Sequence, residues 1–207
     1  IFATLGNLIK LQLSQNGISR INDNAFAGLD ALDEMHLNEN QLARVPSIAL
    51  QSLKRLRYLD ISANEFAHLA TTDIVHIPVE EIFIEKCGQL EYVDRGAFWD
   101  LPNVRAIHLS SNRKLQFIDP HAFVGVPVLR ALYVHNSSLL TIQEEMINNI
   151  VGHGYHHQRL QMTLEGNSLL CDCNIRFIVK VRAAACSVNF SLCFIMLPMP
   201  LSVMFAL

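Results

Sequence analysis

Residues 56–66, LRYLDISANEF, decide the fold of this 207-residue chain. Apolar side chains occupy positions 1, 4, 6 and 11 of the segment, and Asn64 occupies position 9. Positions 4 and 6 alternate with polar residues, as the two faces of a β-strand do. An asparagine at the end of a strand can hydrogen-bond backbone groups that no neighbouring strand reaches. We therefore expect a short strand that buries Leu59 and Ile61 and turns out of the sheet at Asn64.

The same pattern recurs with its first position at residues 8, 32, 56, 79, 104 and 129, at spacings of 24, 24, 23, 25 and 25 residues. A distorted seventh copy follows. Position 9 is an asparagine in five copies: Asn16, Asn40, Asn64, Asn112 and Asn167. The fourth and sixth copies have Cys87 and Ser137 there, which are small residues that hydrogen-bond more weakly than an amide. One copy cannot bury its apolar face alone, so we expect the copies to stack around a shared core.

This pattern, L-x-x-L-x-L-x-x-N-x-L, resembles the leucine-rich-repeat family. The resemblance implies an α/β solenoid, or horseshoe. Its short parallel strands would lie on the concave face, and irregular, 3-10 or helical segments would lie on the convex face. We expect residues 1–165 to form this solenoid, with about six full repeats that start in the middle of a repeat. Since the chain begins at Ile1 without a secretory signal, we expect it to be a fragment.

A cysteine-containing segment, GNSLLCDCNIRF at residues 166–177, follows the repeats. It resembles the start of the cysteine-rich C-terminal flanking cap of extracellular leucine-rich-repeat proteins, N-P-L-x-C-D-C-x-L-x-W-L. We expect this cap to begin within residues 166–182. The resemblance implies that Cys171 and Cys173 form disulfides with later cysteines. Cys186 and Cys193 are the candidates, although they lie closer than is usual in the family. It also implies a secreted or single-pass membrane protein, because such bridges persist in oxidising compartments.

Residues 183–207 form an atypical hydrophobic tail of 25 uncharged residues, which is long enough to cross a bilayer. The tail contains Pro198 and Pro200 and has no basic flank. Two interpretations remain open. The tail is either a membrane span that anchors the protein or an aberrant, truncated end that does not belong to the fold.

Positions 3, 5 and 7 of each copy alternate with core positions, so their side chains should point to the concave face. Aromatic residues there are typical of binding hot spots. We select eight candidate ligand-binding residues on this face: His36, Tyr58, Asp60, Phe83, Glu85, His108, Tyr133 and His135. The histidines would make binding sensitive to pH.

Composition and motifs exclude several classes of function. With 16 basic and 19 acidic residues, the chain has no basic stripe for nucleic acid. It has no phosphate-binding glycine loop, nucleophile elbow or H-E-x-x-H motif, so we expect no enzymatic activity and no cofactor. His153, His156 and His157 lie in a glycine-containing segment without a recognised ligand spacing, so we expect a solvated loop and no metal site.

These observations favour an extracellular module that binds another protein, such as a receptor, a ligand or a matrix component. The module would be the ectodomain of an adhesion or signalling receptor at the plasma membrane, or a secreted matrix protein. Asn136, in the triplet Asn136-Ser137-Ser138, is then a candidate for N-glycosylation. The alternative is an intracellular leucine-rich-repeat scaffold, against which the C-D-C segment argues.

Overall fold

The computed structural model of the chain describes residues 2, 4–152 and 160–170, together with the backbone of 186–189. The elements in these residues are β1 (Lys10–Gln12), β2 (Glu34–His36), α1 (Ser47–Gln51), β3 (Tyr58–Asp60), β4 (His68–Leu69), β5 (Ile74–Val75), β6 (Glu81–Phe83), β7 (Tyr92–Val93), β8 (Phe98–Trp99), β9 (Ala106–His108), β10 (Phe117–Ile118), β11 (Ala131–Tyr133), α2 (Glu144–Val151), β12 (Leu160–Thr163) and β13 (Cys186–Asn189).

The main sheet is parallel, in the order β1-β2-β3-β6-β9-β11-β12-β13; its first seven strands come one from each repeat, and β13 follows them. Met35 pairs with Leu59, and Leu59 pairs with Ile82, so the fourth position of each copy lies beside the fourth position of the next. The same register holds where the spacing between copies is 25 residues, as between Ile107 and Leu132. The predicted solenoid with a concave parallel sheet is confirmed. We call one repeat in the structure a coil.

The last strand, β13, falls within residues 183–207, the stretch predicted to be a membrane span or an aberrant end. Its backbone pairs with β12, and Leu160 is opposite Cys186. Cys171, Cys173 and Cys193 lie outside the described residues, and only the backbone of Cys186 is described. The predicted disulfides therefore stay predictions.

The core runs the length of the solenoid beneath the concave sheet. Inward residues such as Leu59 and Ile61 are fully buried, and so are Phe98 and Phe123, whose rings stack with their centroids 5.2 Å apart. Leu11, in the first coil, is only partly buried, because β1 has a neighbouring strand on one side only. Each coil is thus buried by the coils on either side of it, as expected for a solenoid.

Position 9 joins neighbouring coils through hydrogen bonds. The Nδ2 of Asn64 donates to the carbonyls of Leu37 (3.0 Å) and Ile61 (2.9 Å), and its Oδ1 accepts the Leu42 N–H at 3.0 Å. Three other asparagines make the corresponding bonds to the preceding coil: Asn40, Asn112 and Asn167. Asn16 donates only within its own turn, to Leu13 and Ser14.

The two other residues at this position satisfy fewer groups. The Oγ of Ser137 donates to the Leu109 carbonyl and accepts the Asn112 N–H, both at 3.3 Å. Cys87 is fully buried, and its Sγ lies 3.6 Å from the Glu85 carbonyl. Burial raises the pKa of this thiol to about 11. Cys87 is therefore a neutral core residue in the place of an asparagine.

The residue before position 9 has a left-handed backbone in all seven coils. Six of the seven are not glycine: Gln15, Glu39, Ala63, Lys86, Ser111 and Asn136, with φ between 52° and 62°; the seventh is Gly166, with φ of 73°. This conformation costs an L-residue about 1–2 kcal/mol. Neighbouring coils hold it in place, as when the Glu39 N–H donates to the Ser62 carbonyl at 2.9 Å.

The segments outside the concave sheet differ from coil to coil. The second coil contains α1 and the sixth contains α2, which buries Met146, Ile147 and Ile150. The third to fifth coils instead form two small parallel sheets, β4-β7-β10 and β5-β8. The sequence did not predict these sheets, because strands of two residues are too short to show alternation.

Candidate binding surface on the concave sheet

Five aromatic side chains form a continuous row across β2, β3, β6, β9 and β11. We call this row the ring ladder: His36, Tyr58, Phe83, His108 and Tyr133. The centroid distances between successive rings are 5.0, 4.9, 4.0 and 4.5 Å. The contacts from Phe83 to His108 and from His108 to Tyr133 are stacked, whereas the first two are tilted by 39° and 34°.

The ring ladder follows from strand register. Neighbouring strands lie about 4.8 Å apart, which is also a favourable distance between stacked rings. Four of the rings come from position 5, where each coil places one side chain on the same outward column. In the third coil Asp60 occupies position 5, opposite His36 and Phe83, and Tyr58 at position 3 closes the gap between them.

Carboxylates line both sides of the ring ladder. Glu81 accepts a hydrogen bond from the Nε2 of His108 at 2.9 Å, and Glu85 lies 3.9 Å from its Nδ1. At the other end, Glu34 pairs with Lys10 at 2.7 Å and lies 3.6 Å from the Nε2 of His36. This end of the surface is therefore already partly neutralised, whereas the middle is not.

The pKa of Tyr58 responds to these negative charges. Burial raises the pKa of Tyr58, and the negative charges of Asp60, Glu81, Glu34 and Glu85 raise it further. The side chain is half-buried because its neighbours in the ring ladder cover it.

His135 lies beside the ring ladder, in the position 7 column. Its Nδ1 is 2.9 Å from the Oγ of Ser110 and 3.1 Å from the Oγ1 of Thr163. Glu165 follows in the same column, and its Oε2 is buried without a hydrogen-bond partner among the described residues. Glu34 and Glu81, at position 3, and Glu165, at position 7, were not among the selected candidates, although the register of the pattern places all three on this face.

All eight candidates of the sequence analysis lie on this sheet face or at its edge, and five of them form the ring ladder. The rings are half-buried, because they cover one another. Three aromatic side chains outside the concave sheet are exposed to a greater extent: Tyr92 is 42% exposed, Trp99 46% and Phe117 38%. Tyr92 and Phe117 are neighbours on β7 and β10. The repeat pattern does not predict that these rings are exposed, because it specifies residue types only in the concave strand and in the first residues after it.

Other candidates of the sequence analysis have the following positions. Asn136 is exposed at the turn after β11, and the Oγ of Ser138 donates to the Arg113 carbonyl at 2.6 Å. His153, His156 and His157 lie outside the described residues. Within the described part of the chain, no group of three or more histidines, cysteines and acids is placed to hold a metal ion. In that part, no helix has the length and apolar character needed to cross a bilayer.

Comparisons with known proteins give a family and many similar solved structures, among them the two that follow. The family model described as leucine rich repeat matches residues 6–66 and 79–139. A crystal structure of human 5T4 (Wnt-activated inhibitory factor 1, trophoblast glycoprotein) is 18% identical over 86% of this chain and 77% of that one, with a TM-score of 0.49. A TLR13–ssRNA13 complex is 22% identical over 83% of this chain, with a TM-score of 0.55. No curated protein matches.

The likeness to TLR13 concerns the fold alone, and this chain spans about a quarter (26%) of the TLR13 chain. RNA is the ligand in that complex. The absence of nucleic-acid binding therefore stays a prediction from the charges of this chain. The family match covers more than half of the 207 residues and agrees with the coils described above. The chain belongs to the leucine-rich-repeat family.

Proposed function

We propose that this chain is the recognition module of an extracellular protein and that it binds a protein partner on its concave sheet. The ring ladder is the observation that supports this proposal most directly. Aromatic side chains supply large contact area at low entropic cost, and they are enriched among hot-spot residues. A row of five half-buried rings on a regular sheet offers a partner a continuous and rigid aromatic surface.

The geometry also favours binding over catalysis. Parallel strands hold the rings at fixed positions, and the core side chains beneath them are fully buried. A rigid surface of this kind loses little conformational freedom when a partner binds. The Oγ of Ser110 lies 2.9 Å from the Nδ1 of His135, but Ser110 is almost fully buried, and Cys87 is buried as a neutral thiol.

The extracellular setting rests on residues 166–177 and their resemblance to a cysteine-rich cap. A secreted protein or a receptor ectodomain at the plasma membrane would have this cap. Residues 183–207 would then be either an anchor or an aberrant, truncated end. Mass measurement with and without reductant tests the setting. A disulfide through Cys171 or Cys173 supports it, and free thiols at both positions favour the intracellular scaffold.

A binding experiment tests the concave site. Protein partners are selected from a displayed library of extracellular proteins with the whole chain as bait. Their affinities are then measured for Tyr58→Ala, Phe83→Ala and Tyr133→Ala. We expect each substitution to weaken binding about tenfold or more, as for hot-spot residues.

Tyr92→Ala and Phe117→Ala are the matched controls, since these rings are exposed but lie outside the concave sheet. Binding to these variants should stay within about twofold of the unsubstituted chain. Circular dichroism confirms that each variant is folded. If the controls abolish binding and the concave variants do not, the partner binds elsewhere and the proposal is wrong.

A further inference from the structure

The middle of the concave sheet combines the ring ladder with uncompensated negative charge. In the seven coils from β1 to β12, the outward columns at positions 3, 5 and 7 hold one lysine, Lys10, and five carboxylates. The carboxylates are Glu34, Asp60, Glu81, Glu85 and Glu165. Lys10 pairs with Glu34 at one end, so it does not neutralise the centre.

Two arginines at position 2 of the repeat, at the edge of this face, form ion pairs with acidic residues there. Arg57 forms an ion pair with Asp33, and Arg105 pairs with Glu80 at 3.1 Å. Among the described residues, no lysine or arginine lies within 4 Å of the carboxylates of Asp60, Glu81 or Glu85, which we call the central carboxylates. Negative charge at the centre of the surface therefore faces solvent without a lysine or arginine partner, and His108 is the basic side chain beside it.

Strand register interleaves these charges with the rings. Glu81 lies directly opposite Tyr58, and Asp60 lies directly opposite Phe83. Each pair brings an apolar ring and a carboxylate within about 5 Å at the Cβ atoms. The pKa of Tyr58, raised by burial and by these carboxylates, agrees with this placement.

The central carboxylates retain acceptor capacity. One oxygen of Glu81 accepts from His108, and one oxygen of Asp60 accepts the Ser62 N–H at 3.0 Å. Glu85 makes no side-chain hydrogen bond within the described residues, because its distance of 3.9 Å to His108 is too long for one. Each of the three carboxylates can still accept a hydrogen bond from a donor outside the chain.

Basic side chains match this alternation of rings and carboxylates. The alkyl stem of an arginine or lysine packs on apolar surface while its charged head remains at polar groups. A guanidinium also donates to a carboxylate through two parallel hydrogen bonds. A basic segment would thus lay its stems along the edges of the rings and its heads on the central carboxylates.

We propose that the partner of this surface is a protein that presents a basic segment, with arginine or lysine side chains aligned along the ring ladder. This inference rests on the proposed function, since it names the chemistry of the partner at the same site. An acidic protein or a nucleic acid would meet repulsion from the central carboxylates. Charge complementarity of this kind sets the choice of partner and the rate of association.

The test uses fluorescein-labelled hexa-arginine, hexaglutamate and a twelve-nucleotide oligouridine as probes of the whole chain. Binding is measured by fluorescence anisotropy for a concave triple variant, Asp60→Asn with Glu81→Gln and Glu85→Gln. The amides keep the size of each side chain and the acceptor oxygens that Ser62 and His108 use. A control triple variant, with Glu39→Gln, Glu65→Gln and Glu91→Gln, removes the same charge from exposed positions outside the three columns.

We expect the dissociation constant for hexa-arginine to rise at least fivefold in the concave triple variant and less than twofold in the control. If both variants weaken binding equally, the attraction comes from net charge and the inference is wrong. Tighter binding of hexaglutamate or oligouridine than of hexa-arginine would also overturn it. Glu85→Gln alone, whose carboxylate makes no internal hydrogen bond, provides the same comparison if the triple variant does not fold.

The partners selected for the proposed function separate the two proposals. If their binding depends on Tyr58, Phe83 and Tyr133 but not on the central carboxylates, the proposed concave binding site is supported. The proposal that its partner presents a basic segment is then wrong. If neither set of substitutions weakens binding, the proposed function itself fails.

Discussion

The side-chain amide of Asn64 donates a hydrogen bond to the backbone carbonyl of Leu37, which lies 27 residues earlier and one coil away, at 3.0 Å. Asn64 is also almost fully buried. Its replacement removes the partner of the Leu42 N–H and of the Ile61 carbonyl, whereas the Leu37 carbonyl keeps the hydrogen bond from Asn40 Nδ2. A buried group that loses its hydrogen bond costs about 1–3 kcal/mol.

We therefore expect Asn64→Ala to lower the free energy of unfolding by about 3 kcal/mol, because more than one buried group loses its partner. Urea denaturation followed by circular dichroism measures the change. Asn16→Ala is the matched control, since the amide of Asn16 is exposed and bonds only within its own turn. A loss of similar size in both variants would show that the bonds between coils do not stabilise the fold.

Gly125 has a backbone that a side chain cannot adopt without strain. Its φ is +79°, and a Cβ there would lie 3.0 Å from the backbone nitrogen of Asp100 in the neighbouring coil. We expect Gly125→Ala to destabilise the protein by about 2 kcal/mol. Gly17→Ala should be neutral, because a Cβ at Gly17 meets no atom within 4 Å. Thermal unfolding of the two variants gives the comparison, and an unchanged midpoint for Gly125→Ala would contradict the expectation.

Phe123 stacks on Phe98 in the core and is fully buried. Its truncation in Phe123→Ala removes this packing and leaves a cavity, so we expect a loss of about 3–5 kcal/mol. Phe117→Ala removes the same ring from an exposed position and should cost about 0.5 kcal/mol. Chemical denaturation monitored by the fluorescence of Trp99, the one tryptophan of the chain, measures both variants. Equal losses would place Phe123 outside the core.

Burial keeps Cys87 protonated well into the alkaline range, with a pKa of about 11 against an ordinary 9.0. Between these pH values the unfolded thiol loses its proton while the folded thiol keeps it. The contribution of Cys87 to stability is therefore complete below pH 9 and is lost as the pH rises to about 11. The thiolate is the reactive form, so alkylation of Cys87 should be slow at pH 8 until urea unfolds the chain.

Mass spectrometry of the peptide that contains Cys87, after iodoacetamide treatment with and without urea, measures this protection. The unfolded sample is the control for reagent activity. Rapid labelling of the folded protein would mean that the thiol is accessible and that the fourth coil is open at position 9.

Much of the concave face was predictable from the sequence, and particular residues show where prediction stopped. Alternation around Leu59 and Ile61 placed Tyr58 and Asp60 outward, and the repeat spacing aligned Asp60 with Phe83 in the next coil. The contact between Tyr58 and Phe83 was not predictable, because the two rings come from different positions of the repeat. This contact depends on the side-chain conformations that Tyr58 and Phe83 adopt across neighbouring strands.

The left-handed residues were missed for a related reason. Ala63 has a φ of 52° although neither its type nor its neighbours favour that conformation. The hydrogen bond from the Ala63 N–H to the Glu85 carbonyl, at 2.7 Å, comes from the next coil and holds it there. The exposed Tyr92 and Phe117 were missed because their strands are two residues long. The sequence pattern of one repeat does not predict backbone conformations and ring positions that depend on contacts with the neighbouring coils.

The segments outside the concave sheet vary between a helix and short strands, while the register of the sheet stays constant. The length of a repeat can therefore change in this architecture without a change in the surface that contacts a partner. Insertions after the asparagine turn would change the back of the molecule without displacing a single ring on its front. An engineer could lengthen a coil there, or attach a tag or a second domain, and leave the recognition surface as it is.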